Sequence, residues 1–456
     1  MAVDIALIRD VVIIVPGIMG SELVDRRGQP LWSVAPGHLP AAIRALAANR
    51  LALPRELGDE AAPDGVRATR LIDSLHVVPG LWSPVTGYDG LLRFLRSPRF
   101  QLIEAEPGNA GVMPNLVTFP YDWRLSNRHN GRLLAQFART TLDAWRGQPG
   151  FGDSKLVLVC HSMGGLVARW FAEQEGGAER IRAMITLGTP HRGALKALTA
   201  LVNGLEPGIG PLRLPLTDFA RSLPSLYQLL PQYDCLVGPG GRSGLRQTAC
   251  PNLDAAMLRD ALAFHDTLAA APAGAYRLHK VVGIRQPTAT TARIQGDIVE
   301  PLPTIDGRDQ GGDGTVPRLA AQPEAGPAPD VHEVVGQHGE LQGIASLHDL
   351  LDGILTREQV VWQSTPGQPF GVQMDEVWAS TDAPVLRVTG MDDRLLLVTL
   401  LDEKGRAVGA EDRAVRPDGE LSLGRLREGG YRAIVRAGAG GPPPVAKPFL
   451  VLDPGA

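Results

Sequence analysis

Residues 157–171 read VLVCHSMGGLVARWF, and the centre of that stretch decides the fold. An apolar run, KLVLV at 155–159, leads into Cys160-His161-Ser162-Met163-Gly164-Gly165, and a helix-forming run opens at Gly164. A strand that turns sharply into a helix with serine at its apex holds the hydroxyl in a tight turn with little room on either side. The usual pattern is Gly-x-Ser-x-Gly, and here Cys160 stands in place of the first glycine. Gly164 and Gly165 supply the small residues on the helix side, and cysteine is compact enough for the other. Its sulfur is expected in the packing beneath the sheet end, as a small apolar group. A reactive Cys160 would need exposure and a nearby base, and the turn offers that place to Ser162 instead. Ser162 is therefore the expected nucleophile. A serine that merely caps a helix leaves the His-Ser-Met-Gly-Gly run unexplained.

Outward from this turn, short β-branched runs alternate with helical ones. Strands are expected at 11–15 (VVIIV), 115–119 (NLVTF), 155–159, 182–187 (RAMITL), 277–284 (RLHKVVGI) and 331–335 (VHEVV). Helices are expected at 90–97, 131–145 and 164–174. The strands lack alternation, as strands covered on both faces do. Strand and helix in turn imply an α/β domain with a doubly wound, mainly parallel sheet. Two blocks break the rhythm. One lies between the first strand and Asn115. The other, about 193–275, shows helical pieces and Pro/Gly-rich turns with no clear strand, and reads as an inserted cap.

The segment STPGQPFG at 364–371 reads as a linker. Beyond it, VLRVTG, RLLLVTLLD, YRAIVRAG and FLVLD alternate with turns such as EKG and PDG. That pattern is expected of a small antiparallel β-sandwich. The expected division is a catalytic domain over 1–363 and a sandwich over 372–456. Two independent cores would let the first fold without the second.

Composition excludes several classes. The chain has 456 residues, 44% of them apolar, enough for a large core. Net charge is -4, five of the 45 basic residues are lysine, and no basic run reaches five. Nucleic acid is thus not an expected partner. No run approaches 18 continuous apolar residues, so no transmembrane segment is expected. The first 17 residues lack the pattern of a secretory signal, which gives a cytoplasmic expectation, with peripheral attachment to a membrane left open. Cys160, Cys235 and Cys250 follow neither a disulfide framework nor a zinc pattern. Cys235 and Cys250 are expected to be ordinary thiols, with pairing left open. No metal and no cofactor is expected.

A serine needs a base, and in this topology acid and base follow it in the order Ser, acid, His. The acids after the cap are Asp297, Asp306, Asp309 and Asp313. Asp313 lies in GGDGTVP, whose glycines allow a sharp turn that presents a carboxylate, and the other three are expected in a solvated irregular loop. His338 follows the strand at 331–335 and sits in a short loop, where an imidazole can reach over the sheet edge. His348 is expected to be packed in a helix, and His332 lies within a strand. His161 is expected to face away from the serine, lining the pocket at most. The oxyanion needs two preorganised N–H donors. Met163, at the start of the helix after the serine, supplies one. Ile18, in the VPGIMGS turn after the first strand, is expected to supply the other.

These stretches together resemble one family. VPGIMGSEL (15–23), FPYDWRLSN (119–127), CHSMGG (160–165), TPHRGA (189–194), LPSLYQLLP (223–231) and GGDGTVP (311–317) resemble the lecithin:cholesterol acyltransferase family, whose members include lysosomal phospholipase A and phospholipid:diacylglycerol acyltransferases. The resemblance covers roughly residues 8–358. It implies an α/β-hydrolase with Ser162, Asp313 and His338 as catalytic triad, and Ile18 and Met163 as oxyanion donors. Tyr121, Asp122, Trp123 and Arg124 match a family signature near the active-site face, with Asp122 and Arg124 read as a loop-fixing pair. Cys160 departs from the family pattern. So does the lack of the secretion signal and cap disulfide of the animal plasma enzyme, and the sandwich has no counterpart in the family core.

The expected activity is that of a serine hydrolase acting on lipids: an acyl group passes from a lipid ester to Ser162, then to water or an alcohol. The leucines of 210–230 could line an acyl tunnel or could merely pack the cap onto the core. Two other readings stand beside this one. The first is a carboxylesterase for soluble esters or polyesters. The second is an idle α/β scaffold whose sandwich binds a protein partner of unknown kind.

Overall fold

The computed structural model describes residues 7–33, 45, 49–72, 87–104, 113–206, 215–271, 276–323, 330–357, 370–390, 395–403, 405–409, 412–438 and 444–453. Its centre is a parallel sheet of six strands: β1 (Val11–Val15), β2 (Leu116–Thr118), β3 (Leu156–His161), β4 (Ile181–Leu187), β5 (Arg277–Ile284) and β6 (Asp330–Val335). They lie in the order β6-β5-β4-β3-β1-β2, every neighbouring pair parallel. Val11, Ile13 and Val15 point into one apolar layer while Val12 and Ile14 point into the other, because side chains alternate across a strand. Both faces are thus covered over β1, β3 and β4, which is why these strands read as apolar runs, whereas the edge strands β2 and β6 are partly exposed. One layer is closed by α1 (Asp89–Leu95) together with the late helix Ala345–Thr356. The other is closed by α2 (Asn127–Arg146), α3 (Gly164–Gln174) and the cap helices Leu195–Asn203 and Ala255–Ala269. Ser126 starts α2 by accepting the His129 N–H at its side chain.

The structure corrects several expectations. The block before Asn115 contains strands: Ser21–Val24 pairs with Pro30–Trp32 and Arg67–Leu71 in an antiparallel sheet. The cap also contains strands. Leu236–Gly238 pairs with Gly241–Ser243 and lies against the hairpin Thr291–Gln295/Ile298–Leu302. These strands are three to five residues long, too short for a periodic signal. Leu216, Leu223, Leu226, Leu229 and Leu230 are buried in the main core, so the described part of 210–230 packs the cap down; 207–214 lie outside the described residues. Of the expected linker, 364–369 lie outside the described residues, and Phe370 and Gly371 already belong to a strand.

The C-terminal region forms two sheets over a core of their own. Phe370–Gln373, Val385–Gly390 and Glu420–Ser422 make the smaller one, wholly antiparallel. The five-stranded sheet is antiparallel except where Val377–Ala379 runs parallel to Val445–Leu452. Val445–Leu452 is covered on both faces: Val445, Phe449 and Val451 enter the C-terminal core, whereas Leu450 and Leu452 enter the main one.

Candidate active site

The turns that leave the carboxyl ends of β1, β3, β4, β5 and β6 converge, the usual site location in an open parallel sheet. At the end of β3, Ser162 adopts φ +51°, a left-handed conformation uncommon for a residue with a side chain. The turn is stapled to its neighbour: Ser162 N–H donates to Leu187 O at 2.8 Å, and the Thr189 hydroxyl donates to Ser162 O at 2.8 Å. Glycine at 164 is a packing requirement, since a Cβ there would come within 2.3 Å of the Pro16 carbonyl oxygen. A Cβ on Gly17 would stand 2.9 Å from that of Ser162, so the turn after β1 lies directly against the serine.

The structure brings Ser162, His338 and Asp313 together. Ser162 Oγ lies 2.9 Å from His338 Nε2, and His338 Nδ1 lies 2.7 Å from Asp313 Oδ2. The other Asp313 oxygen accepts the N–H groups of Thr315 at 2.9 Å and Val316 at 2.7 Å. His338 N–H donates to Asp313 O at 2.8 Å, tying the two turns by backbone as well. A carboxylate can only accept, so Nδ1 carries the proton and Nε2 presents its lone pair to the serine hydroxyl. All three side chains are buried.

Ile18 and Met163 flank the serine. Among the described residues neither backbone amide has an acceptor, although both residues are buried. In the turn after β1, Gly20 N–H donates to Gly17 O at 3.1 Å, and Met19 sits at φ +62°. That is the pattern of a type II turn. In a trans peptide C=O and N–H point opposite ways, so the bond to Gly17 O turns the Ile18 N–H outward, away from Gly20.

The other candidates fall elsewhere. Cys160 is fully buried in the main core on the same face as Leu156 and Leu158, and burial pushes its thiol well above the usual range. Cys235 and Cys250 are free thiols, the first pushed up to about 12 by burial. Asp297, Asp306 and Asp309 are exposed, but on ordered hairpins rather than in an irregular loop. His348 stacks on Phe94 at 4.1 Å, and burial lowers its pKa. His332 stacks on His279 on the neighbouring strand, away from the serine. His161 departs from expectation. Its ring is buried and lies between Tyr88 and the backbone of His338, rather than turned from the site.

The signature at 121–124 braces the turn after β1. The Tyr121 hydroxyl donates to Pro16 O at 2.8 Å, and Trp123 Nε1 donates to Ser21 O at 3.1 Å. Arg124 is fully buried and forks across two carboxylates, Asp122 at 2.7 Å and Asp64 at 2.7 Å. Tyr88 and Asp64 lie in no recognisable chemical pattern, and only the packing brings them to their partners. Thr189 lies in the TPHRGA stretch, but its bond to the serine turn shows only in the structure. No cluster of metal-ligating side chains occurs among the described residues, and no described helix is long and apolar enough to cross a membrane.

Residues 102–243 match the family model of lecithin:cholesterol acyltransferase, and this segment contains the serine turn, the 121–124 signature and much of the cap. Over this segment the chain is similar, at a distance, to that family. The human lysosomal phospholipase A and acyltransferase is 33% identical over 118 residues, 25% of this chain and 27% of the human protein. The Arabidopsis thaliana lecithin-cholesterol acyltransferase-like 4 is 28% identical over 124 residues, 25% of this chain and 22% of the plant protein. The matches thus span about a quarter of each curated relative. Among solved structures, the propeptide form of Bacillus licheniformis lipase BlEst2 superposes with a TM-score of 0.40, at 11% identity over 99% of this chain and 95% of the lipase. Asp313 and His338 lie beyond the segment that matches the family model, so their place beside Ser162 rests on the geometry above.

Proposed function

We propose that this protein is a serine-dependent lipid acyl-ester hydrolase or O-acyltransferase. The hydrogen-bonded series Asp313–His338–Ser162 is the observation that carries the reading. His338 Nε2 takes the Ser162 proton as Oγ attacks the acyl carbonyl carbon. The resulting oxyanion is met by the Ile18 and Met163 amides, whose acceptor places are open. Collapse breaks the ester bond, and His338 returns the proton to the departing alcohol. Water or a second alcohol then attacks the acyl-enzyme, with His338 again as base. Asp313 stabilises the imidazolium and fixes its tautomer. The similarity of residues 102–243 to the lecithin:cholesterol acyltransferase family supports a lipid as the acyl donor.

The test is a lipid extract incubated with the protein. A glycerophospholipid should fall and its lyso form rise, with neither change for Ser162→Ala. Added long-chain or sterol alcohols separate the two fates of the acyl group. A new ester rising at the expense of free fatty acid marks transfer, and its absence marks hydrolysis. Cleavage of short p-nitrophenyl esters with every phospholipid untouched would sink the lipid reading in favour of a carboxylesterase.

A further inference from the structure

Two buried side chains outside the reacting set run from the turn after β1 to the turn that bears the base. Gly17 N–H donates to the Tyr88 hydroxyl oxygen at 2.8 Å. That oxygen lies 2.9 Å from His161 Nδ1, and His161 Nε2 lies 3.0 Å from the carbonyl oxygen of His338. The protons follow by elimination. A carbonyl only accepts, so His161 Nε2 carries a proton; the Tyr88 O–H has no other acceptor among the described residues, so it donates to Nδ1. The Tyr88 oxygen keeps a lone pair for Gly17 N–H. Burial pushes the phenol pKa up, which keeps that donor in place. Tyr88, His161 and His338 are 1%, 2% and 0% exposed, so water cannot substitute for any link.

The two ends of this chain are the parts that a serine acyl transfer must hold in register. Gly17 adjoins Ile18, and its own carbonyl is fixed by Gly20. His338 has its N–H on Asp313 O, and its C=O receives His161. We propose that Tyr88 and His161 are positioning residues, coupling the oxyanion turn to the base turn through one directional hydrogen-bonded chain. This rests on the serine mechanism above, and it adds two residues that touch no substrate.

Tyr88→Phe removes one oxygen and keeps the ring that packs edge-on against His161 at 5.8 Å. Its kcat, and the rate at which a fluorophosphonate labels Ser162, should fall together by about 10- to 100-fold, the scale of small misplacements in a site. KM should change less than about twofold. His161→Gln retains a donor where Nε2 stood, whereas His161→Asn retains only the side toward Tyr88. Gln should therefore keep most of the turnover that Asn loses. Labelling and kcat at wild-type values in Tyr88→Phe would overturn the proposal, as would a loss confined to KM. Should Tyr88→Phe fail to fold, the His161 pair decides, and equal kcat for Gln and Asn overturns it. A wild-type protein that the probe does not label at Ser162 would refute the serine mechanism itself, a different failure from these.

Discussion

Ala446 donates its backbone N–H to the Glu340 carboxylate at 2.6 Å, joining the C-terminal sheet to the turn that begins at His338. Burial pushes the Glu340 pKa up to about 8, against the opposing pull of the Ala446 N–H, Lys447 and Arg432. The folded carboxyl therefore holds a proton that the unfolded chain releases near pH 4.5. Between those values the folded state binds more protons, so Glu340 costs stability as pH rises and costs nothing below about 4.5. Glu340→Gln keeps an acceptor for Ala446 without the charge. Its melting temperature should match wild type near pH 4.5 and exceed it by pH 9; equal curves at both ends would refute this.

The same junction bears on truncation. Two separate cores predict that a chain cut after Gln363 folds and hydrolyses. Val377, Leu450 and Leu452, however, are buried in the main core, and Lys196 pairs with Glu376 at 3.3 Å. Removing them exposes the main-core side chains they cover, at a cost on the order of 1.5–3 kcal/mol for each apolar side chain fully uncovered. The truncated protein should melt well below the full chain or precipitate. A truncated protein with unchanged melting would show that this contact carries no stability.

Ser162→Ala should abolish ester cleavage, and Cys160→Ala should leave most of it at a stability cost of about 1 kcal/mol. The thiol is fully buried and held protonated, so alkylating reagents should not inhibit the folded protein. Inhibition by such a reagent, with no fluorophosphonate labelling of Ser162, would transfer the chemistry to the cysteine.

The central sheet was legible because its inner strands are covered on both faces, and a run such as VVIIV at 11–15 has no other use. The serine turn was legible because its sterics restrict which residues fit beside the apex. The hairpins of the cap were not, being short and partly exposed. His161 was misjudged for a related reason: a neighbour in sequence says which way a strand residue starts, not how far a ring reaches. Tyr88 could be found only in three dimensions, where a lone phenol meets residues 71 and 73 positions away.

Arg124→Lys should destabilise the protein by about 1.5–3 kcal/mol, the scale for a lost hydrogen bond to a charged group. The guanidinium meets Asp122 through two nitrogens and Asp64 through a third contact, and a single ammonium cannot span both. Thermal unfolding measures the loss. Because Tyr121 and Trp123 in the same loop hold Pro16 and Ser21, kcat should fall as well.

Asp313→Asn tests the acid more sharply than deletion does. Oδ1 of the aspartate accepts two backbone N–H groups, from Thr315 and Val316. An asparagine must keep its carbonyl oxygen there, because its amide group would leave both donors facing a third. The NH2 is then forced toward His338 Nδ1, where Oδ2 now stands at 2.7 Å. Two donors cannot face each other, so the imidazole moves its proton to Nε2 and points it at Ser162. The serine loses its base while every side chain keeps its place. Turnover should fall by about 10⁴-fold, the loss known for an equivalent aspartate-to-asparagine change in a serine protease. Melting temperature should change by only a few degrees. An Nδ1–H resonance of His338 in wild type should be replaced by an Nε2–H resonance in the variant. Retention of the Nδ1 proton alongside normal turnover would remove Asp313 from the proposed mechanism.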